Sequence, residues 1–189
     1  MFVQVIKGQV SDVGQVRAAI ERWVDELGAG AEGWLGTTAG VTDDGTFVAL
    51  ARFESEEAAR RNSDRAEQGA WWEETSRLFD GGATFADSSD VTPDIIGDPD
   101  RAKELMSRSS DSEAWAAFRP DIIGSLAVGH DEGAYTMALY FTSEEAAREG
   151  EQKEPPPELK AVMEEMDSLS IGETAFFDLR QPWLYSPKR

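Results

Sequence analysis

The chain has 189 residues, a formal net charge of −19, one histidine and no cysteine. That charge argues against nucleic acid and anionic membrane as partners, because binding phosphate needs clustered Lys and Arg. The lack of cysteine excludes a disulfide frame, a thiol nucleophile and a thiolate metal site.

Phe2–Gln9 alternates apolar and polar residues and predicts a strand. Val13, Val16, Ile20, Trp23, Val24 and Leu27 recur at helical spacing, with Asp12 as N-cap and Gly28 as stop. Trp34–Val41 and Thr46–Phe53 predict a hairpin around Thr42-Asp43-Asp44-Gly45. Ser55-Glu56-Glu57 opens the next helix with a capping hydroxyl and two acids at the positive end of its dipole. That helix is expected to run to about Phe79, with a break near Gly69, and to end at Asp80-Gly81-Gly82 before a short strand Ala83–Asp87. The order is βαββαβ, which is ferredoxin-like.

The same order then repeats. Arg101–Phe118 predicts a helix interrupted at Ser107–Ser112, and Asp121–Val128 with Ala134–Phe141 predicts a hairpin around His130-Asp131-Glu132-Gly133. Ser143 starts a helix that Pro155-Pro156-Pro157 interrupts, so a fresh helix carrying Leu159, Val162, Met163, Met166 and Leu169 begins there. Glu173–Leu179 is the expected closing strand. The counterpart of the first strand, Asp90–Gly97, contains Pro93 and makes a poor central strand. Residues 83–97 are therefore expected to run as one extended segment serving both copies. The tail Gln181–Arg189 has two prolines and is expected to be an extended surface arm.

The duplication is also visible directly. Gly124–Arg148 repeats Gly36–Arg60 without a gap at an offset of 88 residues, with identities at Gly36/Gly124, Ala39/Ala127, Asp43/Asp131, Gly45/Gly133, Phe53/Phe141 and throughout Ser55–Arg60/Ser143–Arg148. Background composition would give roughly one or two matches in such a window. The expected organisation is two modules, 1–90 and 91–180, followed by the arm 181–189. In a fused pair of this kind, only one copy need keep a site. No apolar run approaches the roughly 20 residues that span a bilayer, and Met1–Val10 lacks the features of a secretory signal. A cytoplasmic protein is expected, with its scattered acids serving solubility.

The pattern resembles the antibiotic biosynthesis monooxygenase-like family of dimeric α/β barrels. The resemblance rests on the βαββαβ order, on Phe53-Glu54-Ser55-Glu56-Glu57-Ala58-Ala59-Arg60 with its twin Phe141–Arg148, and on Trp71-Trp72-Glu73-Glu74 before the last strand. It implies an α+β fold of two ferredoxin-like modules, their antiparallel sheets packed face to face as an internal pseudo-dimer, with a ligand cavity between each sheet and its helices. Members include cofactor-free oxygenases acting on polycyclic phenols, haem-degrading enzymes and isomerases. The step from strand to Ser, two acids and Ala-Ala is a structural signature, and no catalytic motif is shared across the family.

The residues that could carry chemistry are few. His130 sits at a predicted hairpin tip, where a turn role outweighs that of base or haem ligand. No His, Asp and Glu cluster has metal-ligand spacing, so neither metal nor cofactor is expected. Trp71 and Trp72 map onto Val162 and Met163 of the second copy, which makes core packing their first reading and ligand stacking by Trp72 the second. Arg52 and Tyr140 share one repeat position, Arg52 in an apolar strand where it needs a carboxylate partner or an anionic ligand. Gln4 either satisfies backbone or touches ligand. Asp87 either caps a turn or acts as a base. The leading expectation is a monooxygenase-like barrel that binds a small apolar or aromatic molecule without a cofactor. A non-catalytic binding module is compatible with it, and a further homodimer is left open. The alternative is a cofactor-free oxygenase or isomerase on a polyketide-like substrate. There Arg52 would stabilise an anion, Trp72 and Phe85 would wall the ring, Gln4 would touch it, and Asp87 or Tyr140 would handle the proton. Haem degradation ranks third, because the haem-binding branches need a histidine facing the pocket.

Overall fold

In the computed structural model, which describes residues 1–95, 112–131, 134–157, 159–161, 163–164 and 174–188, the first copy is built around β1 (Phe2–Val10), β2 (Trp34–Val41), β3 (Thr46–Phe53) and β4 (Phe79–Ser88). They lie in the order β4-β1-β3-β2, the ferredoxin-like arrangement, with antiparallel pairing throughout. The β2–β3 hairpin closes as expected: the Gly45 amide donates to Thr42 O at 3.0 Å and the Thr42 amide to Thr46 O at 2.9 Å. Between the strands run α1 (Val13–Glu26), α2 (Glu56–Ser63) and α3 (Ala66–Thr75). Asp12 caps α1 by accepting from the Gln15 amide at 2.9 Å, and Ser55 caps α2 by accepting from the Ala58 amide at 3.2 Å.

Three expectations for this unit are corrected. The long helix breaks at Asp64-Arg65, not at Gly69, because Arg65 turns back to donate to Leu27 O at 3.1 Å and to Asn62 Oδ1 at 3.0 Å. Asp80-Gly81-Gly82 does not end a helix but lies within β4. There Gly81 (φ 84°) and Gly82 (φ 92°) accompany a register shift against Gly8/Gln9, a bulge that lets the strand continue. The tail is extended but is not a surface arm. β8 (Trp183–Tyr185) pairs antiparallel with β2 and becomes the fifth strand, with Trp183 only 7 % exposed. Pro182 and Pro187 bracket this strand, and a three-residue edge strand tolerates them because its outer side needs no donors. Gly36 makes the pairing feasible, since a Cβ there would stand 2.6 Å from Tyr185 O.

The chain divides into two compact units, Met1–Val91 with Val128–Tyr135 and Phe176–Arg189, and Thr92–Ala127 with Thr136–Ala175. The second sheet has the order β5-β6-β7, with β5 (Val91–Ile95), β6 (Ile122–Gly129) and β7 (Tyr135–Phe141). β4 belongs to the first sheet and β5 to the second, residues 96 and 97 of the expected extended segment lie outside the described residues, and Pro93 is accommodated because β5 is an edge strand. Among the described residues the helices here are α4 (Ser112–Phe118) and α5 (Glu144–Glu151), the latter capped by Ser143 accepting from the Ala146 amide at 3.1 Å. A fresh helical turn follows the prolines, with the Lys160 amide donating to Pro156 O at 2.9 Å. The expected helix residues 101–111, the turn residues Glu132 and Gly133, and Val162, Met166 and Leu169 lie outside the described residues.

The expected closing strand Glu173–Leu179 is absent among the described residues 174–179. Phe177 lies under Lys7 Nζ at 5.5 Å, and Leu179 packs where a Gly40 Cβ would be 3.2 Å away. Lys7 pairs with Val48 and Val48 with Gly40 across three neighbouring strands. The segment therefore crosses the strands of the first sheet, so its backbone cannot join their ladder.

Candidate functional site

Alternation along the first sheet decides which side chains can meet a ligand. Gln4 and Ile6 of β1 share a face with Phe47, Ala49, Ala51 and Phe53 of β3, and α1–α3 cover that face. Sheet and helices enclose a cavity of about 80 Å³. Four tryptophans wall it: Trp23, Trp34, Trp71 and Trp72. Three are tethered through the indole N–H, Trp23 to Gln68 Oε1, Trp34 to Thr37 Oγ1 at 3.0 Å and Trp71 to Ala19 O at 2.9 Å. Trp72 Nε1 has no hydrogen-bond partner among the described residues, and its ring meets Phe85 edge-on at 5.2 Å.

No charged side chain among the described residues lines this space. Its polar members are Gln4, Thr37, Asn62, Gln68 and Thr75. Asn62 and Gln68 spend their carbonyl oxygens on Arg65 and Trp23. Thr75 is 1 % exposed, and its hydroxyl finds no hydrogen-bond partner among the described residues. The other such buried atom is the Tyr185 hydroxyl, whose pKa is pushed up by burial and by the nearby Glu21 carboxylate, with Arg17 opposing.

The residues singled out in the sequence separate into three places. Gln4 and Trp72 line the cavity. Phe85, 47 % exposed, backs Trp72, and exposed Asp87 sits opposite Gln4 in the β1–β4 ladder, accepting a long 3.4 Å bond from its amide. Arg52 faces the other side of the sheet, opposite Val3 and Gly36, where its guanidinium would be 3.0 Å from a Gly36 Cβ. The sheet therefore stands between Arg52 and the tryptophans, and the joint site that would use Arg52, Trp72 and Phe85 on one ligand is not assembled. No carboxylate among the described residues pairs with Arg52. Tyr140 is half-buried in β7 of the second unit. His130 is at the β6–β7 turn, its amide donating to Ala134 O at 2.8 Å.

Sequence reasoning missed Thr75, Asn62 and Gln68. One signal was available, since Thr75 follows Trp71 and Trp72 by four and three residues and so shares their helix face. The second copy does not preserve this lining. Asn62 of α2 corresponds to Gly150 of α5, and Arg119 fills the freed space, with its Nε 2.5 Å from a Gly150 Cβ. Arg119 pairs with buried Asp121 at 2.7 Å. The larger concavity of about 610 Å³ beside Ala114, Ala117 and Phe118 of the second unit contains Lys153 and Glu154 and is an open groove. No group of three or more His, Asp and Glu among the described residues could hold a metal ion, and no helix among them is long and apolar enough to cross a membrane.

No protein-family model matches the chain, and no curated protein matches it. Solved structures do. A candidate monooxygenase of Lactobacillus acidophilus NCFM is 12 % identical with a TM-score of 0.62, covering 97 % of this chain and 90 % of that one. A candidate monooxygenase of Fusobacterium nucleatum subsp. nucleatum ATCC 25586 is 11 % identical with a TM-score of 0.64, covering 99 % and 95 %. An anthrone oxidase-like protein is 16 % identical with a TM-score of 0.55, covering 97 % and 88 %. The chain thus has the α+β fold of the monooxygenase-like barrels that its sequence resembles, over nearly its whole length. Identity this low establishes fold and no activity.

Proposed function

We propose that this is a monooxygenase-like barrel protein of the cytoplasm whose first unit binds a small apolar or aromatic molecule in the tryptophan-walled cavity, without a cofactor. The observation that carries the reading is a space between sheet and helices walled by four indoles, with no charged side chain among the described residues lining it. Such a lining favours a neutral ring, because burying an unpaired charge there would cost far more than apolar contact returns. Haem fits neither the roughly 80 Å³ available nor the lining, which contains no histidine. The test is quenching of tryptophan fluorescence by benzene and phenol. Saturable quenching supports the reading, and no quenching by either compound ends it.

A second reading, cofactor-free oxygenation, draws on the contact between Gln4 and Asp87, which sets a carboxylate beside a cavity-lining amide. In such chemistry a base removes a C–H proton, and the carbanion gives an electron pair to O2 to form a hydroperoxide. Loss of water then leaves a carbonyl. With Arg52 behind the sheet, any oxyanion would meet only neutral donors, which weakens this reading relative to binding. Oxygen uptake with an anthrone that is lost in Asp87→Asn would favour it. No uptake would remove it.

A further inference from the structure

We infer that the cavity is selective for a neutral molecule no larger than one substituted ring, with a single hydroxyl or carbonyl oxygen held by Thr75 Oγ1. This rests on the binding reading above and adds a size, a charge and an anchor to it.

Size comes first. The space of about 80 Å³ is roughly half the ~150 Å³ of an apolar cavity that admits benzene, and far below the ~300 Å³ at which drug-sized pockets begin. A three-ring polyketide does not fit beside four indoles, three of which are tethered through their N–H groups. One ring fits with a modest displacement of Trp72, the wall member whose indole N–H has no partner among the described residues. Charge follows from the lining, which contains neither acid nor base among the described residues. A carboxylate or ammonium on the ligand would be stripped of water with nothing to pair it.

The anchor follows from the state of the polar lining. Thr37 already accepts from Trp34 Nε1, and the carbonyl oxygens of Asn62 and Gln68 are engaged, so those two amides can offer only N–H. Thr75 Oγ1 is buried with its hydrogen-bonding capacity unspent, at a position lining the cavity. A buried hydroxyl left without a partner is costly, so the complementary ligand brings one oxygen to it. The Thr75 hydroxyl and the remaining N–H groups of Asn62 and Gln68 are donors, and they favour a ligand oxygen.

The experiment measures dissociation constants of benzene, phenol and benzoate for the full chain and for Thr75→Val, whose side chain has the same shape. The readout is the ratio of phenol to benzene affinity. Wild type should favour phenol relative to Thr75→Val by about five- to tenfold, the worth of one buried hydrogen bond. Benzoate should not bind. An unchanged ratio in Thr75→Val, or benzoate binding as tightly as phenol, overturns the inference while leaving the cavity reading intact. If neither benzene nor phenol binds to wild type, the cavity reading itself falls. Should Thr75→Val not fold, wild-type crystals soaked in phenol decide the matter. Phenol oxygen within hydrogen-bond distance of Thr75 Oγ1 upholds the assignment, and a ring turned the other way refutes it.

Discussion

Replacing Trp183 with alanine tests whether the tail is a working strand of the first sheet. Trp183 is 7 % exposed, its ring lies 6.3 Å from that of Phe47, and the Arg17 guanidinium stands 5.8 Å from its centroid. Truncating a buried tryptophan to alanine costs about 3–5 kcal/mol, with the cation–π contact accounting for less than ~1 kcal/mol of it. Total stability is on the order of 5–15 kcal/mol, so the loss is a large share. At about 2–4 °C per kcal/mol for a chain of this size, the melting temperature should fall by roughly 6–20 °C. Leu184, one residue along and 63 % exposed, provides the control, and its alanine variant should lie within about 0.5 kcal/mol of wild type. Urea unfolding followed by tryptophan fluorescence and circular dichroism measures both variants. If Trp183→Ala costs no more than Leu184→Ala, the inward and outward alternation of β8 is wrong, and with it the five-stranded sheet.

Further outcomes follow from the same geometry. Thr75→Val should stabilise the ligand-free protein by about 1–2 kcal/mol, because it removes a buried hydroxyl that has no partner; a lower denaturation midpoint would refute this. Trp72→Ala should open the cavity and let 1-naphthol bind at least about tenfold more tightly than to wild type, and equal affinities in a titration would count against Trp72 as a wall. The hydrogen bonds from Arg119 hold the Asp121 carboxyl below its ordinary value of 3.8, against the opposing effect of burial. Because the folded pKa is the lower one, this contribution is complete above pH 3.8 and is lost as pH falls through the folded value. The stability margin of wild type over Asp121→Asn should therefore be full at neutral pH and shrink below about pH 4, and a constant margin in denaturant titrations would exclude the linkage.

Much of the fold was legible because local chemistry and burial agree there. The hairpin from Trp34 to Phe53 has an Asp-Gly turn between two alternating runs, and its strand limits are those expected. Asp12 and Ser55 start their helices for the same local reason. Misreadings arose where a distant segment decides the outcome. Residues 174–179 alternate well enough to suggest a strand, yet Lys7 and Gly40 draw them across the sheet. The tail looked too rich in proline, but the open edge of β2 supplies a partner for Trp183–Tyr185. The site was half legible. Gln4 and Trp72 carry composition signals, whereas the seclusion of Arg52 depends on strand parity and covering elements taken together.

The pairing of β2 with Trp183–Tyr185 also has a consequence for biosynthesis. As the polypeptide emerges from the ribosome, β1 to β4 can assemble early, but the outer rim of β2 keeps its amides and carbonyls unmatched until residues far downstream arrive. During that interval it is a template for any extended segment, including one from a neighbouring nascent chain. Completion of the first sheet is thereby delayed until Trp183–Tyr185 have been made, and a ribosome stalled before Trp183 would hold a product prone to sticking.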